Sequence, residues 1–203
     1  MHAGIPATAL AAALPVLVAQ TRPVDVASTP ASSIRSERLA WLEYPWGMAY
    51  LPDGRLLIAE KPGRLRIFAD GTLSAPVENV PATGHRPGPN EQAGLLDVAV
   101  DPDFAKNGHV YLSHSEETRQ GSTPADPGDS RFGKALPPET RLMGGAVTRA
   151  KLDGNRLTDS KVIWRQEPKT VGRGHFGHRL VFGRDGTLFI TSGERMRFDR
   201  RRA

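Results

Sequence analysis

The sequence contains no cysteine. A disulfide framework, thiolate catalysis and zinc sites built on cysteine are therefore excluded. The absence does not fix the cellular compartment.

Motifs for several common enzyme chemistries are also missing. The spacing G-x-G-x-x-G occurs once, in "GRGHFG" at residues 172–177, but it does not directly follow a strand pattern and opens no helix pattern, and the chain has no Walker loop, which argues against a nucleotide cofactor. It has no G-x-S-x-G elbow, which argues against a hydrolase with a catalytic serine. The sequences "DPDF" and "DPGD" lack the ligand spacing of a calcium loop, and we interpret them as turns.

A basic face is missing too, although the formal net charge is +5. Five arginines and one aspartate near the C-terminus supply +4 of it (5 − 1): Arg195, Arg197, Arg200, Arg201, Arg202 and Asp199. The rest of the chain is nearly neutral. Because binding to nucleic acid requires a basic face, we predict no nucleic-acid partner.

One long apolar run, from Ile5 to Ala19, lies at the N-terminus. It is short for a membrane span and has the length of a signal-peptide core, although no Lys or Arg precedes it. We predict a signal-peptide-like segment over residues 1–19, a periplasmic or secreted protein, and no transmembrane span. An uncleaved apolar start is the alternative. Residues 20–38, rich in Ser, Thr, Pro and Ala, predict a flexible linker.

Three later stretches repeat one pattern, in which two alternating apolar segments flank an Asp-containing turn and end at a glutamate. The glutamates are Glu60, Glu116 and Glu194. Alternation on both sides of "PDG" or "RDG" predicts β-hairpins, and further strand patterns follow in the first two units. Four short strands per unit are typical of a β-propeller blade. The sequence therefore predicts an all-β partial propeller over residues 39–195, with about two and a half blades.

The stretches "PWGMAYLPDGRLLIAEKPGRLRIF", "EQAGLLDVAVDPDFAKNGHVYLSHSE" and "GHFGHRLVFGRDGTLFITSGER" resemble, in order, motifs of the soluble glucose/sorbosone dehydrogenase family. These are pyrroloquinoline-quinone-dependent aldose sugar dehydrogenases. The resemblance implies a six-bladed propeller that oxidises the C1 hydroxyl of aldoses and passes electrons to the quinone and then to an acceptor. It also implies a calcium ion, and most residues that hold the quinone and calcium would lie in later blades.

The resemblance implies roles for three residues. His175 matches the family's general base, which takes the proton of the C1 hydroxyl while a hydride passes to the quinone. Glu194 matches an acidic residue that pairs with this histidine, and Gln92 matches a polar residue facing cofactor and substrate. The implied catalytic residues are thus His175 and Glu194, and the implied cofactor-binding residues are Gln92 and His175. Glu60 and Glu116 are predicted to be structural.

His175 and His178 have an H-x-x-H spacing, which on a helix would favour a metal site. This stretch leads into a strand, where positions three apart point to opposite faces. We therefore predict no metal ligand in this chain. Relatives usually carry a small residue where His178 stands, which puts the shape of the neighbouring loop in question.

After Arg195 the sequence "MRFDRRRA" does not resemble the family, so residues 196–203 are predicted to be foreign to it. The expectation is a truncated N-terminal portion, inactive alone, whose uncovered blade faces favour aggregation. Two alternatives stay open: a propeller that serves only for binding, and an inert remnant. A propeller hydrolase would need a central set of metal ligands, and the sequence shows none.

Overall fold

A computed structural model of the chain describes six segments: residues 26–29, 32–86, 91–117, 141–167, 169–170 and 174–195. The predicted segment 1–19 and the predicted tail 196–203 both lie outside these residues. Export therefore stays a prediction, which N-terminal sequencing of the mature protein can test. Within the described segments, no helix is both long enough and apolar enough to cross a membrane.

The chain divides into two compact units, Met1–Leu39 and Ala40–Ala203. In the first unit, β1 (Val26–Thr29) and β2 (Ser32–Arg35) pair antiparallel. This hairpin lies within residues 20–38, for which the sequence predicts a linker. The valine, threonine and isoleucine of these strands favour extended backbone, which offsets the turn-forming Ser and Pro around them.

The first blade opens the second unit with four antiparallel strands in consecutive order. Its strands are β3 (Pro45–Tyr50), β4 (Leu56–Glu60), β5 (Arg64–Ala69) and β6 (Thr72–Leu73). Gly54 turns the chain between the first two strands with φ +88°, a backbone conformation that glycine adopts without a steric cost. The predicted "PDG" hairpin is present.

The second blade has the same consecutive antiparallel order. It consists of β7 (Leu95–Val100), β8 (His109–Glu117), β9 (Met143–Asp153) and β10 (Arg156–Arg165). One helical turn, α1 (Phe104–Asn107), stands between its first two strands. The Gly/Pro-rich insertion between β8 and β9 lies outside the described residues over 118–140.

The third blade begins with β11 (Leu180–Phe182) and β12 (Leu188–Ile190), joined by a turn at Gly186. Two four-stranded sheets followed by a two-stranded sheet confirm the prediction of an all-β chain with two and a half propeller blades. The three sheets follow one another along the chain, as blades do in a propeller.

Apolar side chains join each blade to the next. The larger cluster combines Leu57, Leu65 and Ile67 of the first blade with Val98 and Leu112 of the second. A second cluster joins the other side of the second blade to the third; it contains Ala99, Val147 and Leu180, with Tyr111, Trp164, Phe182, Leu188 and Ile190 packed against it. The second blade is therefore covered on both sides.

A buried carboxylate also ties the third blade to the second. Asp97, in β7, is 3% exposed and accepts hydrogen bonds from Arg179 Nη1 at 3.0 Å and from the Leu180 backbone N–H at 2.9 Å. Its own N–H donates to Ser113 Oγ at 2.8 Å. Asp97 therefore fixes the start of β11.

Replacement of Asp97 by alanine should destabilise the chain by about 1–3 kcal/mol, because the buried Leu180 N–H then loses its acceptor. Urea denaturation measures the change. Asp103→Ala is the control, since the Asp103 side chain is exposed and forms a surface ion pair with Lys106, and we expect a change within about 0.5 kcal/mol. Equal effects of the two substitutions would show that Asp97 does not anchor the third blade.

Candidate functional site

The loop of residues 174–179 leads into β11 and carries His175. The His175 backbone has φ +50°, a left-handed conformation that non-glycine residues rarely adopt. Its N–H donates to Gln92 Oε1 at 2.8 Å, although the two residues lie far apart in sequence. Gln92 precedes β7, so the second blade helps to hold the loop of the third in this conformation.

The His175 ring meets the carboxylate of Glu194. His175 Nδ1 lies 2.5 Å from Glu194 Oε1, and the two side chains are 41% and 23% exposed. Leu180 pairs with Ile190 across the hairpin, so the segments that precede β11 and follow β12 emerge at the same end. The structure thus brings together the three residues singled out in the sequence: His175, Glu194 and Gln92.

This contact selects one form of the imidazole. A carboxylate only accepts hydrogen bonds, so Nδ1 carries the proton and Nε2 of the neutral ring is left with its lone pair. The carboxylate would also stabilise the ring once Nε2 has taken a proton. A partly exposed imidazole in this arrangement can act as a general base.

The buried side chain of Arg195 holds the loop of residues 174–179 in place. The sequence analysis did not predict this role. Its side chain is 1% exposed, Nη1 donates to the Gly174 carbonyl at 2.8 Å, and the guanidinium lies 3.4 Å from the centre of the Phe176 ring. The Arg195 N–H donates to the His175 carbonyl at 3.2 Å. Its position directly after Glu194 could have indicated a role near the site. The arginines that follow it in the sequence made it look like part of a charged tail.

Two glycines allow the close approach between the His175 loop and the end of β12. A Cβ atom on Gly193 would lie 2.1 Å from the His175 carbonyl oxygen. Gly177 has φ +68°, and a Cβ there would lie 2.9 Å from the Gly193 nitrogen. A side chain at Gly193 would therefore push His175 away from Glu194.

His178 points away from His175 and into the protein. It is 1% exposed, packs against the Gly145 backbone, and meets Trp164 edge-on with ring centres 5.8 Å apart. Neither ring nitrogen has a hydrogen-bond partner among the described residues. His175 and His178 thus have different surroundings, but both belong to the loop before β11 and have positive φ, so they do not have the strand geometry from which opposite faces were predicted. Among the described residues, no group of three His, Asp or Glu side chains could hold a metal ion.

Burial lowers the pKa of His178 to about 4, with further lowering by the positive charge of Arg195 and by the neighbouring His114. The His178 ring is therefore neutral near pH 7. His114 is buried as well and lies 3.0 Å from Thr148 Oγ1, and burial lowers its pKa.

The glutamates at the equivalent strand ends of the first two blades pair with strong cations. Glu60 contacts Arg64 at 2.8 Å, and Glu116 contacts Arg165 at 2.8 Å and Lys169 at 2.7 Å. Burial raises the pKa of Glu116, but the hydrogen bonds from Arg165 and Lys169 outweigh it and lower the pKa to about 2. Glu194, the third of the repeated glutamates, instead contacts a histidine.

A concave space of about 380 Å³ lies beside this loop. Strand β3 contributes Pro45 and Trp46, and the third blade contributes Gly177, His178, Arg179 and Thr191. The His175 ring is not among the lining residues. The cavity therefore adjoins the His175–Glu194 pair but does not enclose it.

The fold and the site together define a propeller protein with a carboxylate-oriented histidine at a loop between blades. The sequence model of the family described as "Glucose / Sorbosone dehydrogenase" matches residues 42–203. The chain belongs to this family. The match includes residues 196–203, whose predicted foreign origin the structure does not address.

Individual relatives agree with this assignment. The chain is 40% identical over 157 residues to the aldose sugar dehydrogenase YliI of Escherichia coli (strain K12), covering 75% of this chain and 36% of that protein. Among solved structures, the soluble aldose sugar dehydrogenase of Escherichia coli in its apo-form is similar, with a TM-score of 0.59 and 36% identity over 76% of this chain and 39% of that one. The chain thus spans little more than a third of these relatives.

A more distant structure shares the fold. The PQQ-bound aldose sugar dehydrogenase of Streptomyces coelicolor matches with a TM-score of 0.56 and 24% identity, covering 78% of this chain and 40% of that one.

The buried His178 should make stability fall as the pH falls from about 6.5 to 4. The unfolded chain takes up the proton near pH 6.5 and the folded chain only near pH 4, so between these values the unfolded state binds more protons. At pH 5 the loss relative to pH 7 should be about 2 kcal/mol. Urea denaturation at several pH values measures it.

His178→Met is the matched variant, because methionine is of similar size, does not titrate and loses no hydrogen bond in the described structure. It should remove about 2 kcal/mol of the pH dependence between pH 7 and 5. An unchanged pH dependence in this variant would show that His178 does not stay neutral when the protein folds.

Proposed function

We propose that this chain carries the general-base side of an aldose sugar dehydrogenase site. The reaction is the oxidation of the C1 hydroxyl of an aldose, an oxidoreductase activity. The observation that carries the proposal is the 2.5 Å contact between His175 Nδ1 and Glu194 in a chain that belongs to the glucose/sorbosone dehydrogenase family. Its relatives of known structure include soluble aldose sugar dehydrogenases.

His175 would take the hydroxyl proton at Nε2. Oxidation at C1 removes that proton and a hydride, so a base must stand at the hydroxyl while an acceptor stands at the carbon. Glu194 holds Nδ1 protonated and thereby presents the Nε2 lone pair to the substrate. When His175 takes the proton, the adjacent carboxylate stabilises the imidazolium.

Gln92 would act as a positioning residue for His175. Its Oε1 accepts the His175 N–H, which fixes the backbone from which the imidazole projects. Its amide nitrogen would then be directed to cofactor or substrate, as the sequence resemblance implies. Arg195 holds the same loop through the Gly174 carbonyl and the Phe176 ring.

The expected cofactor is pyrroloquinoline quinone, and a relative of this fold was solved in a PQQ-bound form. When bound, the quinone supplies the acceptor for the hydride. The described residues fit it in part. His175 and Gln92 offer polar atoms to a ligand. The three carboxylates of the quinone, however, require several Arg or Lys side chains. The arginines of this loop are already engaged, Arg179 with Asp97 and Arg195 with the Gly174 carbonyl.

The other ligands of the quinone and the calcium ion would therefore come from outside the described residues. The physiological electron acceptor would likewise bind beyond them. A role confined to binding, without catalysis, gives no reason for a histidine in a left-handed conformation to contact a carboxylate at 2.5 Å. The geometry therefore supports catalysis better than a role confined to binding.

A chimera tests the proposal. In the Escherichia coli aldose sugar dehydrogenase, the stretch that this chain matches would be replaced by residues 40–195. Reduction of an artificial acceptor by an aldose, with PQQ and calcium added, measures kcat. His175→Asn should lower kcat by about 10²–10⁴-fold, the usual contribution of a general base. Glu194→Gln should lower it less, because the base remains but its tautomer is no longer held.

His109→Asn is the matched control, because His109 lies in the second blade and its backbone N–H donates to Asn107 Oδ1, a bond that the substitution keeps. It should leave kcat unchanged. An active chimera whose kcat does not change on His175→Asn would contradict the role of His175 as base.

A further inference from the structure

Lys61 in the first blade and Arg195 in the third occupy equivalent positions of the repeat. Each directly follows one of the repeated glutamates, and each donates its backbone N–H to the carbonyl of a residue that lies before the first strand of its blade. Lys61 donates to Tyr44 at 3.0 Å, and Arg195 donates to His175 at 3.2 Å. Both acceptors have φ +50°, so the backbone takes the same left-handed turn in the two blades.

The Lys61 ammonium group is held between aromatic rings and a carbonyl. Its Nζ donates to the Glu91 carbonyl at 2.6 Å, and it lies 5.7 Å from the centres of both the Tyr44 and the Trp46 rings. A cation within about 6 Å of a ring centre is attracted by the π-electrons. The two rings therefore help to direct the ammonium group of the first blade to the backbone that leads into the second.

Arg195 uses its side chain in the same way. Its guanidinium binds the Gly174 carbonyl and lies over the Phe176 ring, and it thereby holds the loop of the candidate base. Because the two cations share a position in the repeat and a type of contact, Lys61 should likewise hold the segment that it binds. That segment contains Gln92.

Lys61 binds both ends of the short segment around Gln92. At one end its Nζ binds the Glu91 carbonyl, and at the other the Lys61 carbonyl accepts the Leu95 N–H at 3.0 Å. The Lys61 carbonyl also approaches Gly94 so closely that a Cβ atom there would clash with it. These contacts set the position of Gln92 from both sides.

From these contacts we propose that Lys61 is a positioning residue for the His175 base and acts through Gln92. Lys61 fixes the segment of Gln92, and Gln92 Oε1 accepts the His175 N–H at 2.8 Å. The backbone from which the imidazole projects toward Glu194 then depends on a cation two blades away. The effect on catalysis rests on the proposed function, whereas the effect on the His175 backbone does not.

Hydrogen exchange of backbone amides, followed by NMR in the full-length chain, tests the proposal. Lys61→Met keeps an apolar stem against the two rings but removes the ammonium donor. We expect the His175 amide to exchange at least about tenfold faster in this variant, because Gln92 is no longer held in place as its acceptor. Lys61→Arg keeps the charge and the donors, so His175 exchange should stay within about threefold of the unmodified chain.

Two other amides distinguish a local effect from a general loss of stability. The Leu180 N–H has a carboxylate acceptor in the second blade, and the Val77 N–H has a carbonyl acceptor in β5. Both amides should keep their exchange rates in Lys61→Met. Lys106→Met is the matched control, because Lys106 is an exposed lysine in α1 with a surface ion pair, and it should leave all three amides unchanged.

The chimera described above separates this proposal from the proposed function. In the chimera, Lys61→Met should lower kcat about tenfold through the displaced base, and Lys61→Arg should retain most of the activity. If His175→Asn leaves kcat unchanged while Lys61→Met still accelerates exchange of the His175 amide, the base assignment fails and the positioning by Lys61 stands.

Three results would overturn the proposal. The first is an unchanged His175 amide in Lys61→Met. The second is equal acceleration of all three amides, which would show that Lys61 only stabilises the first blade. The third is an unchanged kcat for Lys61→Met in a chimera that His175→Asn inactivates.

Discussion

The position of the His175 loop depends on how the third blade is attached to the second. Asp97 accepts the Leu180 N–H and the Arg179 guanidinium at the first residues of β11. Gln92, a few residues earlier in the chain, accepts the His175 N–H. One segment of the second blade therefore fixes both ends of the loop that carries the histidine. Because hydrogen bonds are directional, these contacts give the imidazole a defined position even though its ring is partly exposed.

The repeated blade explains where the candidate site arose. In the first two units a glutamate stands at the end of the second strand, Glu60 as the last residue of β4 and Glu116 as the last but one of β8, and it pairs with arginine or lysine. In the third unit, Glu194 follows β12 by four residues. In the third, the loop 174–179 brings a histidine to the same place. Arg195, one residue after the glutamate, holds the loop and leaves the carboxylate to the imidazole. A structural ion pair and a candidate catalytic pair thus occupy equivalent positions of the repeat.

Much of the fold could be predicted from the sequence because its signals are local. Alternating apolar residues on both sides of Gly54, Gly154 and Gly186 determine hairpins, and the hairpins determine the blades. The contact between His175 and Glu194 was implied by the family motifs, and the register of β11 with β12 explains it. Asp97 and Arg195 could not be assigned this way, because the groups that they bind, among them the Leu180 N–H and the Gly174 carbonyl, come near them only in the folded chain. The hairpin β1–β2 was not predicted, because its few β-branched residues stand among Ser and Pro, which favour turns.

The central claim is that Glu194 orients His175 as a base. The most direct measurement is the tautomer of the His175 ring in the chain labelled with ¹⁵N-histidine, assigned by comparison with His175→Asn. The account predicts a neutral ring protonated at Nδ1 with a lone pair on Nε2, and a loss of this preference in Glu194→Gln. A neutral ring that carries its proton on Nε2 in the unmodified chain would contradict it.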